Sequence, residues 1–128
     1  MADYGFTKEF AQPFDAVVER VTVALQKEGF GVLSTIDVRE KLREKLGVDF
    51  PRYLILGACS PRHAQQVLSE DPQVGLFLPC NTVVYEKGGK TVVSILKPTE
   101  AMKVVQNPKL EPIAREVESK LERVFKAI

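Results

Sequence analysis

The chain has few of the residues on which most enzyme active sites and metal centres depend. Its 128 residues include one histidine and two cysteines. A single histidine removes most hydrolase mechanisms that are centred on histidine, and no C-x2-C pair of the kind that binds structural zinc is present. The G-x-S-x-G elbow and the glycine patterns of P-loops and dinucleotide-binding turns are also missing. The composition therefore argues against an enzyme, and it does not identify a reaction.

An excess of charge of one sign and a long apolar run are missing as well. The 18 basic residues nearly balance the 17 acidic ones, the net charge is +1, and no lysine or arginine block stands out. The chain thus lacks the electrostatic pattern of a nucleic-acid-binding protein or of a protein that binds anionic membranes. No apolar stretch approaches the length of a membrane span, and the first residues lack the basic and apolar regions of a secretory signal. We therefore expect a cytoplasmic protein whose cysteines are free thiols.

What the chain does contain is typical of one soluble globular domain. Hydrophobic residues make up 45% and charged residues 27%, which argues against disorder. A chain of this length buries a sufficient core without disulfides or metals. We therefore assign residues 1–128 to a single domain.

Hydrophobic spacing and turn residues divide the chain into alternating strands and helices. Strands are predicted at 4–10, 30–36, 53–58, 82–86 and 91–97, with a further short apolar strand or extended segment at 74–78. Helices are predicted at 13–28, 37–46, 60–70, 98–105 and 107–128, and Asp37 and Ser60 are the expected N-caps. The pattern indicates an α+β fold, a two-layer α/β sandwich with the element order βαβαβαββα(α). Its sheet is expected to be mixed, with about five strands and an antiparallel last pair.

Several predicted strands are apolar on both faces, which a sheet with one solvated face would not be. Strand 53–58, for example, places Leu54 and Leu56 on one face and Tyr53 and Ile55 on the other. Either the C-terminal helix or a second subunit should cover the second face. We expect a homodimer, because a large exposed apolar patch is rare on a soluble monomer. The residues expected to supply the interface are the 74–78 run and Val84, Val92 and Leu96.

The residues with chemical potential fall in one strand–helix–strand stretch. Cys59 ends a strand, His63 lies in the first turn of the following helix, and Cys80 precedes the next strand. Neighbouring strand ends would place both thiols and His63 in one pocket. Free cysteines are often buried as small hydrophobes, so a core role is the first interpretation. A thiol redox pair and a metal site are the alternatives, and the helix N-terminus would favour a thiolate at Cys59.

The same junction also has the features of an anion site. Gly57 to His63 runs from a strand into a helix N-terminus, where free backbone N–H groups and Arg62 would suit a phosphate or carboxylate. In the simpler interpretation Ser60 only caps the helix and Arg62 is solvated. The candidate ligand-binding residues are Cys59, Ser60, Arg62, His63, Cys80, Asn81 and Glu86. No metal ligands, catalytic residues or cofactor are assigned.

Several segments together resemble the family filed as domain of unknown function 302. They are Gly29–Leu33 with Ile36–Val38 and Leu42, Leu56–Cys59 with Pro61, and Leu78–Asn81 with Val83 and Glu86. The resemblance covers almost the whole chain and implies a small prokaryotic α+β domain that forms dimers. It implies no activity, cofactor or catalytic residue. Ser60 stands where the family pattern leads us to expect asparagine.

Three functional hypotheses follow from these observations. The first is a non-catalytic module that binds a small, anionic ligand near Gly57–His63. The second is a thiol-based redox or metal-binding protein that uses Cys59 and Cys80. The third is a purely structural dimeric interaction protein.

Overall fold

Strands and helices alternate along the computed structural model, which describes residues 3–128. The elements are β1 (Gly5–Phe10), α1 (Phe14–Lys27), β2 (Gly31–Asp37), α2 (Val38–Leu46), β3 (Tyr53–Cys59), α3 (Pro61–Glu70), a 3₁₀ helix (Pro72–Phe77), β4 (Cys80–Lys87), β5 (Lys90–Leu96), α4 (Pro98–Val105) and α5 (Glu111–Ala127). The predicted α+β class, the five strands and the element order are confirmed.

The five strands form one sheet in the order β1-β5-β4-β3-β2, and every neighbouring pair is antiparallel. The prediction of a mixed sheet is therefore wrong. Helices α2 and α3 do not carry the chain back along the sheet, as a parallel crossover would. Instead, Asp37 pairs with Leu54 and Ala58 pairs with Cys80, so each helix joins two strands at the same end. Among the helices of residues 3–128, only α1 crosses the sheet, from β1 at one edge to β2 at the other.

The helix ends follow the capping residues of the sequence. The Asp37 carboxylate accepts the Glu40 backbone N–H at 3.0 Å and so caps α2. Gly47 ends the helix in the left-handed conformation, with φ +65°, and donates its N–H to the Arg43 carbonyl. Within residues 3–128, no helix combines the length and the apolar character that a membrane span requires.

The predicted strand at 74–78 is wrong, because Pro72–Phe77 forms a 3₁₀ helix. The Asp71 carboxylate accepts the Gln73 backbone N–H at 3.1 Å, and Pro72 suits the first helical position. These two local preferences outweigh the short apolar run, which has no partner strand. Val74 is buried and Leu76 is exposed.

The core lies between α1, α5 and one face of the sheet. Val17 and Val21 of α1 and Leu121 and Val124 of α5 belong to one buried cluster with the inward-facing residues of the strands. Helix α5 therefore shares its face of the sheet with α1. The alternative in which the C-terminal helix covers the second face is wrong.

The opposite face of the sheet carries a second, partly exposed apolar surface. Ile36, Ile55 and Val83 are neighbours across β2, β3 and β4. The rings of Tyr53 and Tyr85 stack beside them, with centroids 5.1 Å apart and planes inclined by 9°. We name these five residues the outer sheet face. Ile36 remains 46% exposed.

Of the three hairpin residues expected at a subunit interface, Val92 lies on the outer side of the sheet. Val84 faces the core and is fully buried, and Leu96 lines a cavity described below. Val92 itself is only 4% exposed. Substituting Val92 with aspartate would therefore bury a charge and destabilise the fold, so it would not report specifically on a dimer interface.

Candidate functional site

A cavity of about 60 Å³ lies where β3 and β4 meet the three helices α3, α4 and α5. Most of its lining is apolar, with Phe30, Val74, Met102 and Val117 among the lining residues. Few polar side chains reach it. It is therefore a small hydrophobic recess with a restricted set of reactive groups.

Four of the predicted site residues line this cavity, namely Cys59, Ser60, His63 and Cys80. The antiparallel pairing of Ala58 with Cys80 brings the start of β4 beside the end of β3. Pro61 then opens α3 directly after Ser60, which places His63 in the first turn. The local order strand, cap and helix thus brings both thiols and the imidazole to one place.

His63 is buried and hydrogen-bonded, whereas a histidine on a helix is often half-exposed. Only 4% of the residue is exposed. Its Nδ1 lies 2.7 Å from the Ser60 hydroxyl oxygen, and its Nε2 lies 3.4 Å from Oε1 of Glu116 on α5. Ser60 occupies the N-cap position of α3, but its side chain makes no cap hydrogen bond. Its hydroxyl is engaged with the histidine instead.

Cys59 and Cys80 are free, partly buried thiols. Burial raises the pKa of Cys59, so desolvation outweighs the thiolate-favouring helix N-terminus. Burial, and to a smaller extent the nearby Cys59, raises the pKa of Cys80 to about 11. Both thiols are therefore protonated at neutral pH, which makes them poor nucleophiles and poor metal ligands.

The other three predicted site residues do not line the cavity. Arg62 points to solvent from the exposed side of α3. Asn81 is exposed and pairs with Gly57, on the side of the sheet that faces away from the core. Glu86 lies near the far end of β4, where its backbone N–H binds the Arg52 carbonyl.

Across the described residues, no group of three or more histidine, cysteine or acidic side chains is arranged to hold a metal ion. Cys59, His63 and Cys80 share the cavity but do not form such a group.

Two parts of the site were not predicted from the sequence. Glu116 sits beside the buried Val117 on α5 and its side chain is itself 61% exposed, so its spacing gives no signal that it approaches His63. Ala101 and Met102 of α4 form part of the cavity wall. The sequence predicted both helices, although α5 begins at Glu111 and not at 107. Only packing decides that they lie over α3.

Comparisons with known proteins agree with this architecture. A family model described as "Domain of unknown function DUF302" matches residues 6–128. A crystal structure of an uncharacterized conserved DUF302 protein from Bacillus stearothermophilus superposes with a TM-score of 0.90. It is 38% identical in sequence, and the match covers 98% of each chain. The comparison with curated proteins finds no significant match.

Proposed function

Because the chain belongs to the DUF302 family, whose description assigns no activity, we propose a function from the site itself. The protein is a binding module for a small molecule that buries an apolar group in the cavity beside Cys59, Ser60, His63 and Cys80. The observation that carries the proposal is the convergence of these four residues on one apolar recess. Binding sites are typically apolar recesses with a few polar groups that orient the ligand.

The size and lining of the cavity restrict the ligand. One water-sized position needs about 10–15 Å³ of such volume, so 60 Å³ accepts roughly four to six non-hydrogen atoms. No lysine or arginine lines the cavity. The anionic ligand expected from the sequence would therefore have to place its charge against the backbone N–H groups of the first turn of α3. A neutral apolar group with one hydrogen-bonding atom suits the lining better.

A matched pair of probes tests the proposal and separates the two ligand types. 1-Butanol and butyrate share an alkyl chain and differ in charge, and each is titrated into ¹⁵N-labelled protein by NMR. We expect 1-butanol to shift amide signals of residues around Cys59, His63 and Met102, and butyrate to bind more weakly. Tighter binding of butyrate at the same residues would support the anionic ligand.

A variant that fills the cavity is the control for the site. Ala101→Leu adds three carbon atoms to the wall of the cavity, whereas Ala16→Leu adds them on an exposed position of α1. The first substitution should abolish the shifts and the second should preserve them. Shifts that survive Ala101→Leu, or that lie away from the cavity, contradict the proposal.

We also propose that the protein is a homodimer whose two copies stack their outer sheet faces. The supporting observation is the row Ile36, Ile55 and Val83, which extends across three strands and includes an isoleucine that is 46% exposed. Strand β2 is a sheet edge, but its register shifts between Val32 and Ser34. Such a bulge disfavours edge-to-edge pairing, so face-to-face contact is the better geometry.

Analytical ultracentrifugation at micromolar concentration tests the dimer. We expect a species of twice the monomer mass of 14.3 kDa, and dissociation on substitution Ile36→Lys. Val104→Lys is the matched control, because Val104 is 71% exposed on α4, which is not part of the outer sheet face. A single monomeric species in the wild type across this range refutes the dimer.

A thiol redox function has less support from the geometry. Cys59 and Cys80 are neighbours, but the raised pKa of each slows attack by oxidants. Their unpaired state suits a reducing compartment, from which we infer a cytoplasmic location. Alkylation and mass spectrometry of the purified protein should find two free thiols. A stable loss of two hydrogens would instead favour the redox function.

A further inference from the structure

Ser60 and His63 line the cavity, and the carboxylate of the largely exposed Glu116 on α5 approaches the outer side of the imidazole. The Ser60 hydroxyl oxygen lies 2.7 Å from Nδ1 of His63, and Nε2 of the same ring lies 3.4 Å from the Glu116 carboxylate. A nucleophile, a base and a group that orients the base, each within or near hydrogen-bond reach of the next, are the parts of a serine acyl-transfer site. The longer of the two distances fits a site without substrate, where such contacts are often loose.

The position of the carboxylate suits one of the two tautomers of a neutral ring. Glu116 accepts only, so it favours the tautomer in which Nε2 donates to it. Nδ1 then presents a lone pair to the Ser60 hydroxyl, which becomes the donor. The ring is thereby poised to remove the hydroxyl proton.

Two further features suit an acyl substrate. Ser60 and His63 both line the apolar cavity, whose capacity of roughly four to six atoms matches a short acyl chain. Because Ser60 makes no cap hydrogen bond, the first-turn N–H groups of Arg62 and His63 are not engaged by the cap side chain. Backbone N–H groups at a helix N-terminus are the kind of donor that stabilises the oxygen of a tetrahedral intermediate.

We propose that the protein hydrolyses short-chain carboxylic esters, with Ser60 as nucleophile, His63 as general base and acid, and Glu116 as a positioning residue for the imidazole. The proposal rests on the cavity assigned above as a ligand site. Ser60 and His63 belong to one helix turn, whereas the orienting group comes from α5, so the tertiary structure supplies Glu116.

The reaction is a balanced two-step exchange with water. Ser60 Oγ forms a bond to the ester carbonyl carbon while His63 Nδ1 takes the hydroxyl proton. The bond to the alkoxy group then breaks, the alcohol leaves with that proton, and an acyl-serine ester remains. Water attacks this ester with proton transfer to Nδ1, which returns the proton to Ser60 Oγ as the carboxylic acid departs. No oxidant, reductant or metal is consumed.

The test measures release of nitrophenol from p-nitrophenyl butyrate and p-nitrophenyl decanoate. We expect turnover of the butyrate and little of the decanoate, because the cavity is too small for ten carbons. Rapid quenching and peptide mass spectrometry should find the butyryl group on Ser60. Ser60→Ala should lower kcat/KM about 100-fold or more, whereas Ser69→Ala, on an exposed position of the same helix, should leave it unchanged.

Glu116→Gln separates positioning from simple structural support. The amide keeps the shape of the side chain but removes the charge that holds the tautomer, so kcat should fall while KM stays constant. A butyryl group found only on lysines, or wild-type turnover in Ser60→Ala, overturns the proposal. The 1-butanol titration does not depend on the chemistry. Binding without turnover therefore rejects the esterase and retains the binding module, and loss of both rejects the two proposals together.

Discussion

Filling the cavity should stabilise the protein, and the structure sets the size of the effect. Ala101→Leu adds three carbon atoms to a wall of a recess that accepts roughly four to six. At about 0.8 kcal/mol for each buried carbon, the transfer gain is about 2.4 kcal/mol. Ordering the leucine side chain costs about 0.5–1 kcal/mol. We expect the free energy of unfolding to rise by about 1–2 kcal/mol once some packing strain is allowed for.

Urea denaturation measures this change directly. The midpoint should rise at constant slope, and the melting temperature should increase by roughly 4 °C for each kcal/mol in a chain of this length. Ala16→Leu adds the same atoms on an exposed helical position, so its effect should stay within about 0.5 kcal/mol. If Ala101→Leu is destabilised by more than about 1 kcal/mol relative to Ala16→Leu, the cavity is not available in solution. The ligand site and the esterase then lose their basis.

Three further outcomes are expected. Between about pH 9 and 11, wild-type protein should lose roughly 2–3 kcal/mol more stability than Cys80→Ala, because the pKa of the thiol is near 9 when unfolded but about 11 when folded. Below pH 9 this contribution is intact, and equal alkaline profiles of the two proteins would disprove the raised pKa. Gly57→Ala should cost about 1–3 kcal/mol, because a Cβ there would lie 2.7 Å from Pro79 Cγ and would also collide with Ser34 Oγ. Gly31→Ala, where a Cβ meets no atom within 4 Å, should be near neutral by urea denaturation, and equal losses would refute the steric account. If the first turn of α3 binds anions, sulfate should raise the melting temperature more than chloride at matched ionic strength. Salts that are excluded from the protein surface, such as sulfate, stabilise proteins without binding to a site. An unchanged effect of sulfate on the melting temperature of Arg62→Ala would therefore reject the anion site.

Local features of the sequence predicted the elements because the interactions that form them are short in range. Asp37 accepts an N–H only three residues away, and Gly47 closes a helix on Arg43. The apolar stripes of α1 and α5 follow from side-chain spacing alone. For the same reason Cys59, Ser60 and His63 were expected together, because they lie within one short strand–helix junction.

Long-range packing decided the remaining features, including the sheet topology and the chemistry of the site. Helices between strands favour parallel pairing in general, and only the register of Ala58 with Cys80 shows that α3 returns the chain to the same end of the sheet. Glu116 is 53 residues from His63 in the chain, so no local pattern joins them. The direction of the thiol pKa shifts follows from burial by surrounding elements, which outweighs the effect of the adjacent helix N-terminus. The sequence by itself determined where the reactive groups stand along the chain, and the tertiary structure determined what surrounds them, because desolvation and hydrogen-bond partners come from residues distant in sequence.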